Sequence, residues 1–189
     1  MSKTYAAKFL DGGHLRLGRG FTLIELMITI AIAGILLAIG IPSMRDMIHQ
    51  NRLTGHVNEF VAANMLARSE AIKRGSRVRI CRSANAESSN TCSTGAGDWS
   101  SGWLVAIPNP DDDTQNDEIL SRHGALPAGT NASSSLDAVT YNGMGQPVLA
   151  ADSDSTGFAF DNDCKLSRRQ VDIGRTGRTA VTTIAAAGC

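Results

Sequence analysis

The chain has 189 residues with 18 basic and 18 acidic side chains, a formal net charge of zero. That balance argues against a bulk nucleic-acid binder, and the length suits one domain plus an appended element. Aromatic residues make up 5% of the chain against 19 glycines, which points to a turn-rich β domain and not to a large packed core. The sequence contains no GxSxG, HExxH or phosphate-loop motif, so neither an enzyme nor a cofactor is expected. A membrane-anchored periplasmic enzyme is the alternative from another functional class.

Residues 1–20 read as a leader. Lys3, Lys8, Arg16 and Arg19 stand there against Asp11, leaving 14 basic and 17 acidic residues beyond Gly20. Phe21–Ile41 follows, apolar except for Thr22, Glu25, Thr29 and two glycines. As a helix at about 1.5 Å per residue, the run spans roughly 30 Å, the thickness of a bilayer core. A carboxylate costs about 2.5–3.5 kcal/mol at the bilayer centre, so Glu25 is expected to have a role. The basic leader would stay in the cytoplasm and place the residues after Pro42 outside it. Two plainer readings compete. One is a simple anchor with Glu25 near the interface. The other is a secretory signal peptide cut at Ala31-Ile32-Ala33, against which Glu25 would lie inside the apolar region.

The stretch Gly20-Phe21-Thr22-Leu23-Ile24-Glu25-Leu26 resembles the prepilin signal of type IV pilins and type II secretion pseudopilins. The resemblance implies cleavage between Gly20 and Phe21 by prepilin peptidase and N-methylation of Phe21. It implies that the apolar run stays on the mature protein. It also implies an assembly role for Glu25, paired with the N-terminal amine of a neighbouring subunit.

Pro42 lacks a backbone donor and is expected to kink the helix. Beyond it, an amphipathic pattern continues to Arg74, with Leu53, Val57, Phe60, Val61, Ala71 and Ile72 on one stripe. Asn64 and Arg68 fall inside that stripe and are expected to hydrogen-bond to a covering sheet. Gly75 after Lys73 and Arg74 suits a helix C-terminus. His49 and His56 read as solvated surface, since a metal pair would lack a third ligand. The segment Ala67-Arg68-Ser69-Glu70-Ala71-Ile72-Lys73-Arg74, the strand ending in Cys81, and Trp99-Ser100-Ser101-Gly102-Trp103 resemble the GspH/FimT family of minor pseudopilins and minor pilins.

Short strands are expected after Gly75: Arg77–Arg82, Trp99–Pro108, Glu118–His123, Leu136–Asn142, Gly157–Asp161, Gln170–Ile173 and Arg178–Ile184. Residues 83–98 and Leu126–Ser135 read as loops. The spacing suggests six or seven antiparallel strands in one or two sheets. The four cysteines allow three pairings. The sequence-local one, Cys81–Cys92 with Cys164–Cys189, is the expectation in an oxidising compartment. Zinc is the rival, but no CxxC pair exists and no His lies near a cysteine in sequence. Asp111–Glu118 carries oxygen ligands for calcium but lacks the spacing of a calcium loop, and reads as a solvated hairpin tip. Asp152, Asp154, Asp161 and Asp163 read the same way.

Arg168, Arg169, Arg175 and Arg178 make the C-terminal region locally basic. Some FimT-type proteins are linked to DNA uptake through a C-terminal Gly-Arg-x-Arg motif. Here Gly174-Arg175-Thr176-Gly177-Arg178 places the second arginine three residues after the first instead of two. A DNA-binding tip subunit is therefore an alternative, and the rival reading pairs these arginines with Asp161, Asp163 or Asp172.

The expected architecture is α+β and pilin-like. It comprises a leader at 1–20, a transmembrane and assembly helix at 21–41, an amphipathic continuation at 42–75, and a disulfide-stapled antiparallel β domain at 76–189. The expected function is structural, in a type IV pilus or type II secretion pseudopilus. The implied partners are other pilins or pseudopilins, prepilin peptidase, the inner-membrane assembly platform and the inner membrane itself. The expected location is a single-pass inner-membrane protein with its C-terminal domain in the periplasm, then the filament.

Overall fold

A computed structural model describes residues 20–94, 97–112, 115–149, 153–162 and 167–185. Among the described residues, one helix, α1 (Leu23–Arg74), precedes nine strands. These are β1 (Val78–Arg82), β2 (Gly97–Asp98), β3 (Trp103–Pro108), β4 (Asn116–His123), β5 (Asn131–Ser134), β6 (Ala138–Tyr141), β7 (Ser155–Asp161), β8 (Ser167–Gly174) and β9 (Thr179–Ala185). The chain divides into two compact units between Pro42 and Ser43.

In the first unit, α1 begins where Thr22 supplies an N-cap. Its hydroxyl accepts from the Glu25 amide at 3.2 Å, and its carbonyl accepts from the Leu26 amide at 3.1 Å. Thr22-Leu23-Ile24-Glu25 thus has the Thr-x-x-Glu form of a capping box. Every side chain from Phe21 to Ile41 is exposed. Among the described residues, α1 is the helix long and apolar enough to cross a membrane. Pro42 lies inside it.

In the second unit, the strands form two antiparallel sheets, ordered β4-β3-β1-β6 and β2-β5-β7-β8-β9. The helical stripe runs through Leu53, Val57, Phe60, Asn64, Ala67 and Ala71, all buried. It packs with Val78, Ile80, Trp103, Val105, Val139 and Tyr141 from the first sheet, and with Ala132, Phe158, Phe160, Val171 and Ile173 from the second. Phe60 sits at the centre. Its ring lies 4.7 Å from Phe158, 5.3 Å from both Trp103 and Phe160, and 5.7 Å from Trp99. Edge-on and tilted pairs such as these suit the quadrupoles of aromatic rings.

The two polar residues of the stripe find partners. The Asn64 side-chain amide donates to the Phe60 carbonyl at 2.9 Å, and its oxygen accepts from the Tyr141 hydroxyl at 3.2 Å. Arg68 Nε donates to the Gly145 carbonyl at 3.0 Å, from the loop after β6. Ile72, expected on the stripe, is 52% exposed. The helix ends at Gly75, with φ 61°, and Arg74 ties its last turn to β4 through a bidentate contact with Glu118 at 2.8 and 3.1 Å.

The strand pattern departs from expectation in three places. Residues 99–102 form a turn, not a strand: the Gly102 amide donates to the Trp99 carbonyl at 3.1 Å, at a φ of 109° that favours glycine. Within 126–135, Asn131–Ser134 is a strand because its register sets Ala132 opposite Phe160 and Ser134 opposite Phe158. Gly97–Asp98 adds a short edge strand to β5. Among the described residues, nine strands in two sheets therefore replace the expected six or seven.

On the outer face of the first sheet, Cys81 is joined to Cys92 with a Cα separation of 5.7 Å. The bridge shields a small apolar cluster of Cys81, Ala86 and Leu104. Cys164 and Cys189 lie outside the described residues.

Candidate functional site

The residues expected to act in processing and assembly lie together at the start of α1. Gly20 precedes the helix, and Phe21 is 81% exposed. Glu25 is exposed on the first turn, where a negative charge complements the helix dipole. Leu23, Ile24, Leu26, Met27, Ile28 and Ile30 surround it, each more than half exposed. A contiguous apolar surface of this kind marks a contact with lipid or another protein. The geometry is therefore a lone carboxylate near the tip of an apolar rod.

The four C-terminal arginines do not converge. Arg168 and Arg169 stand at one end of β8, whereas Arg175 and Arg178 flank the turn at its other end. Arg168 and Arg175 are seven residue steps apart, about 23 Å along an extended strand at 3.3 Å per residue. Two of them have partners among the described residues. Arg175 pairs with Asp154 at 3.0 Å and donates to the Ser153 carbonyl at 3.1 Å. Arg169 donates to Thr183 and reaches Thr54 at 3.5 Å. Asp161 instead accepts from Asn131 at 3.1 Å, and Asp172 from Gln170 at 2.8 Å. Asp163 lies outside the described residues.

The Gly-Arg turn has a packing role. A Cβ on Gly177 would fall 2.6 Å from the Gly145 carbonyl oxygen and 3.0 Å from Arg68 Nε. Only glycine lets this turn approach the helix so closely, at its φ of 74°.

The acidic hairpin between β3 and β4 is organised by amides. Asn109 accepts from the Asp111 and Asp112 backbones at 2.8 and 3.2 Å and donates to Asp117 at 2.9 Å. Asp113 and Asp152 lie outside the described residues.

Another constellation was not legible from spacing. His56, Glu59 and His123 place three potential ligand atoms within 4.8 Å of one another. His56 and Glu59 lie one turn apart on α1, and His123 ends β4. Glu59 Oε2 is 3.1 Å from His56 Nδ1 and 2.8 Å from His123 Nε2. The His123 hydrogen bond is the largest cause holding the Glu59 carboxyl below its ordinary range; burial opposes it, and the His56 bond adds to the lowering. His56 is thus a half-buried partner of Glu59, not free surface. His49 is exposed, as expected, and its carbonyl accepts from Asn162 at 2.9 Å.

A capped apolar helix leading into a helix-backed, two-sheet antiparallel domain defines a pilin-like α+β protein. Residues 56–177 match the family model of the type II transport protein GspH, and residues 16–41 match the prokaryotic N-terminal methylation motif. The chain belongs to the GspH family. Among curated relatives, fimbrial protein Q of Moraxella bovis is 45% identical over 67 residues, covering 35% of this chain and 42% of that one. A fimbrial protein of Pseudomonas aeruginosa is 47% identical over 60 residues, covering 32% and 38%. The chain therefore spans less than half the length of these relatives. Among solved structures, the type IV minor pilin FimU of Pseudomonas aeruginosa shares the fold, with a TM-score of 0.56 at 18% identity over 72% of this chain and 92% of that one.

Proposed function

We propose that the chain is a structural minor pilin or pseudopilin, processed between Gly20 and Phe21 and N-methylated on Phe21. It waits in the inner membrane with the domain beyond Pro42 in the periplasm. It is then drawn by the assembly platform into a type IV pilus or type II secretion pseudopilus, as a tip or priming subunit. The observation that carries this reading is the exposed apolar surface from Phe21 to Ile41, interrupted near its tip by Glu25. Such a rod is stable in lipid or among similar rods, and not in water.

In a bundle of such helices, the Glu25 carboxylate would meet the free amine of a neighbouring Phe21. A buried charge is tolerated when paired in this way, and removing one partner leaves the other uncompensated. The role is one of assembly without catalysis.

The test has two arms. Intact mass and N-terminal sequencing of chain recovered from cells with prepilin peptidase should give methylated Phe21 as the first residue; a start at Gly34 would overturn the processing step. Glu25→Ala should be cleaved normally yet be missing from sheared filaments, and equal incorporation would overturn the pairing.

A further inference from the structure

We propose that His56, Glu59 and His123 form a zinc-binding site that clips α1 to the edge strand β4.

The first support is tautomeric. His123 Nδ1 lies 2.8 Å from the Gly124 carbonyl oxygen, which can only accept, so Nδ1 carries the proton. A neutral ring then presents a lone pair at Nε2, and that atom faces a carboxylate oxygen at 2.8 Å. Two lone pairs at this distance require a positive centre between or beside them. It is either a proton shared by the two groups or a metal ion. A histidine whose other nitrogen donates to a backbone carbonyl has the outer-shell arrangement typical of metal ligands.

The second support is rigidity. The His123 ring stacks on buried Trp103 at 3.8 Å, with 8° between planes. His123 and Trp103 are also register partners across β3 and β4, so both backbone and ring are held. On the helix, Glu59 directly precedes Phe60 and His56 lies one turn before it, and Phe60 contacts the same Trp103. The site is thus built on packed elements, with His56 and His123 only about one-fifth exposed and Glu59 about half exposed.

The third support is the donor set. Two imidazole nitrogens and one carboxylate oxygen suit Zn²⁺, which takes such ligands at about 2.0–2.2 Å in tetrahedral geometry. Tetrahedral bonds of that length put ligand atoms roughly 3.3–3.5 Å apart. The observed 2.8 and 3.1 Å contacts to Glu59 are a little shorter than this spacing, so the carboxylate must shift outward to admit the ion. Glu59, the most exposed of the three, can rotate to meet it. Water would take the fourth position on the open side.

The experiment uses the full chain in detergent micelles, stripped with EDTA and exchanged into chelator-free buffer. Zinc sulfate is titrated against a chromophoric chelator, and thermal unfolding is followed with and without zinc. Wild type should bind one equivalent, and its midpoint should rise by about 5–10 °C at zinc a hundredfold above Kd. Cobalt should give the intense visible bands of a tetrahedral site. His56→Ala, Glu59→Gln and His123→Ala should each weaken binding at least tenfold and abolish the zinc-dependent rise, whereas His49→Ala should change neither. Near-UV circular dichroism identifies any variant that misfolds, and the half-exposed Glu59→Gln serves if His123→Ala does. No stoichiometric binding by wild type would overturn the proposal in favour of a hydrogen-bonded cluster that holds no metal. Binding that survives all three substitutions would overturn it in favour of ligands elsewhere.

Discussion

Replacing Phe60 by alanine tests the central claim of the fold, that one helical side chain joins both sheets. The ring is fully buried and touches Trp103 on one sheet, Phe158 and Phe160 on the other, and Trp99 between them. Truncation exposes no new surface but removes about 100 Å² of buried apolar area, worth about 2.5 kcal/mol at 25 cal/mol per Å². A cavity of up to ~100 Å³ adds as much as about 2.4 kcal/mol if its walls hold, and less if they collapse. Four aromatic neighbours packed from two sheets oppose collapse, so the expected loss is about 3–5 kcal/mol.

The unit from Ser43 to Cys189 sets the conversion to temperature. For a unit of that size, each kcal/mol is worth about 2–4 °C, and the midpoint should fall by about 6–20 °C. The assay is thermal unfolding of the full chain in micelles. It is followed by the fluorescence of Trp99 and Trp103, the chain's two tryptophans, and checked by near-UV circular dichroism. Val148→Ala, at a side chain 61% exposed, is the control and should stay within about 0.5 kcal/mol. A Phe60→Ala midpoint within 3 °C of wild type would refute the reasoning, because Phe60 would then not be the shared centre.

Three further outcomes follow from other parts of the domain. Changing Cys81 and Cys92 together to alanine should cost about 2.8 kcal/mol, from the chain entropy of an 11-residue closure, read as a lower urea midpoint. Gly102→Ala should cost upwards of about 1–3 kcal/mol by the same assay, since its φ is 109° and a Cβ there would fall 2.3 Å from the His123 carbonyl oxygen. Burial pushes the Tyr141 hydroxyl up to about 12 from 10. The folded state then holds its proton where the unfolded state has lost it. Stability should be flat in this group below pH 10 and fall by about 1.4 kcal/mol per unit from pH 10 to 12. Phenolate absorbance of wild type compared with Tyr141→Phe checks the titration.

How much of this was legible in the sequence depended on whether a signal was local. The apolar run, the lone Glu25 and the 3.6-residue stripe are properties of one segment, and they located α1 to within two residues at its start. Asn64 and Arg68 were recognisable as polar residues on an apolar face that would need partners, and they found them in Tyr141 and Gly145. Which partners these would be was not legible, because 77 residues separate each pair. Asn131–Ser134 reads as loop because Asn and Ser have weak strand preference. It is a strand because one small side chain, Ala132, fits opposite Phe160 in the core.

The histidine constellation shows the same limit most sharply. His56 and Glu59 are one helical turn apart, and that proximity was available from the sequence. The metal reading nevertheless pairs His56 with His49, seven residues away, and includes neither Glu59 nor His123. His123 reaches Glu59 because the β3–β4 ladder sets it opposite Trp103, with a register shift between Val105 and Ala106 on the way. A one-residue slip turns a strand's side chains to the other face of the sheet. Without the shift, the register that pairs Ala106 with Ile119 would not set Trp103 opposite His123. The irregularity therefore decides whether β4 ends with an imidazole against the helix or away from it. Spacing rules that assume regular strands cannot supply such information. It enters only when Trp103 is packed beneath Phe60 and its cross-strand partner is carried with it.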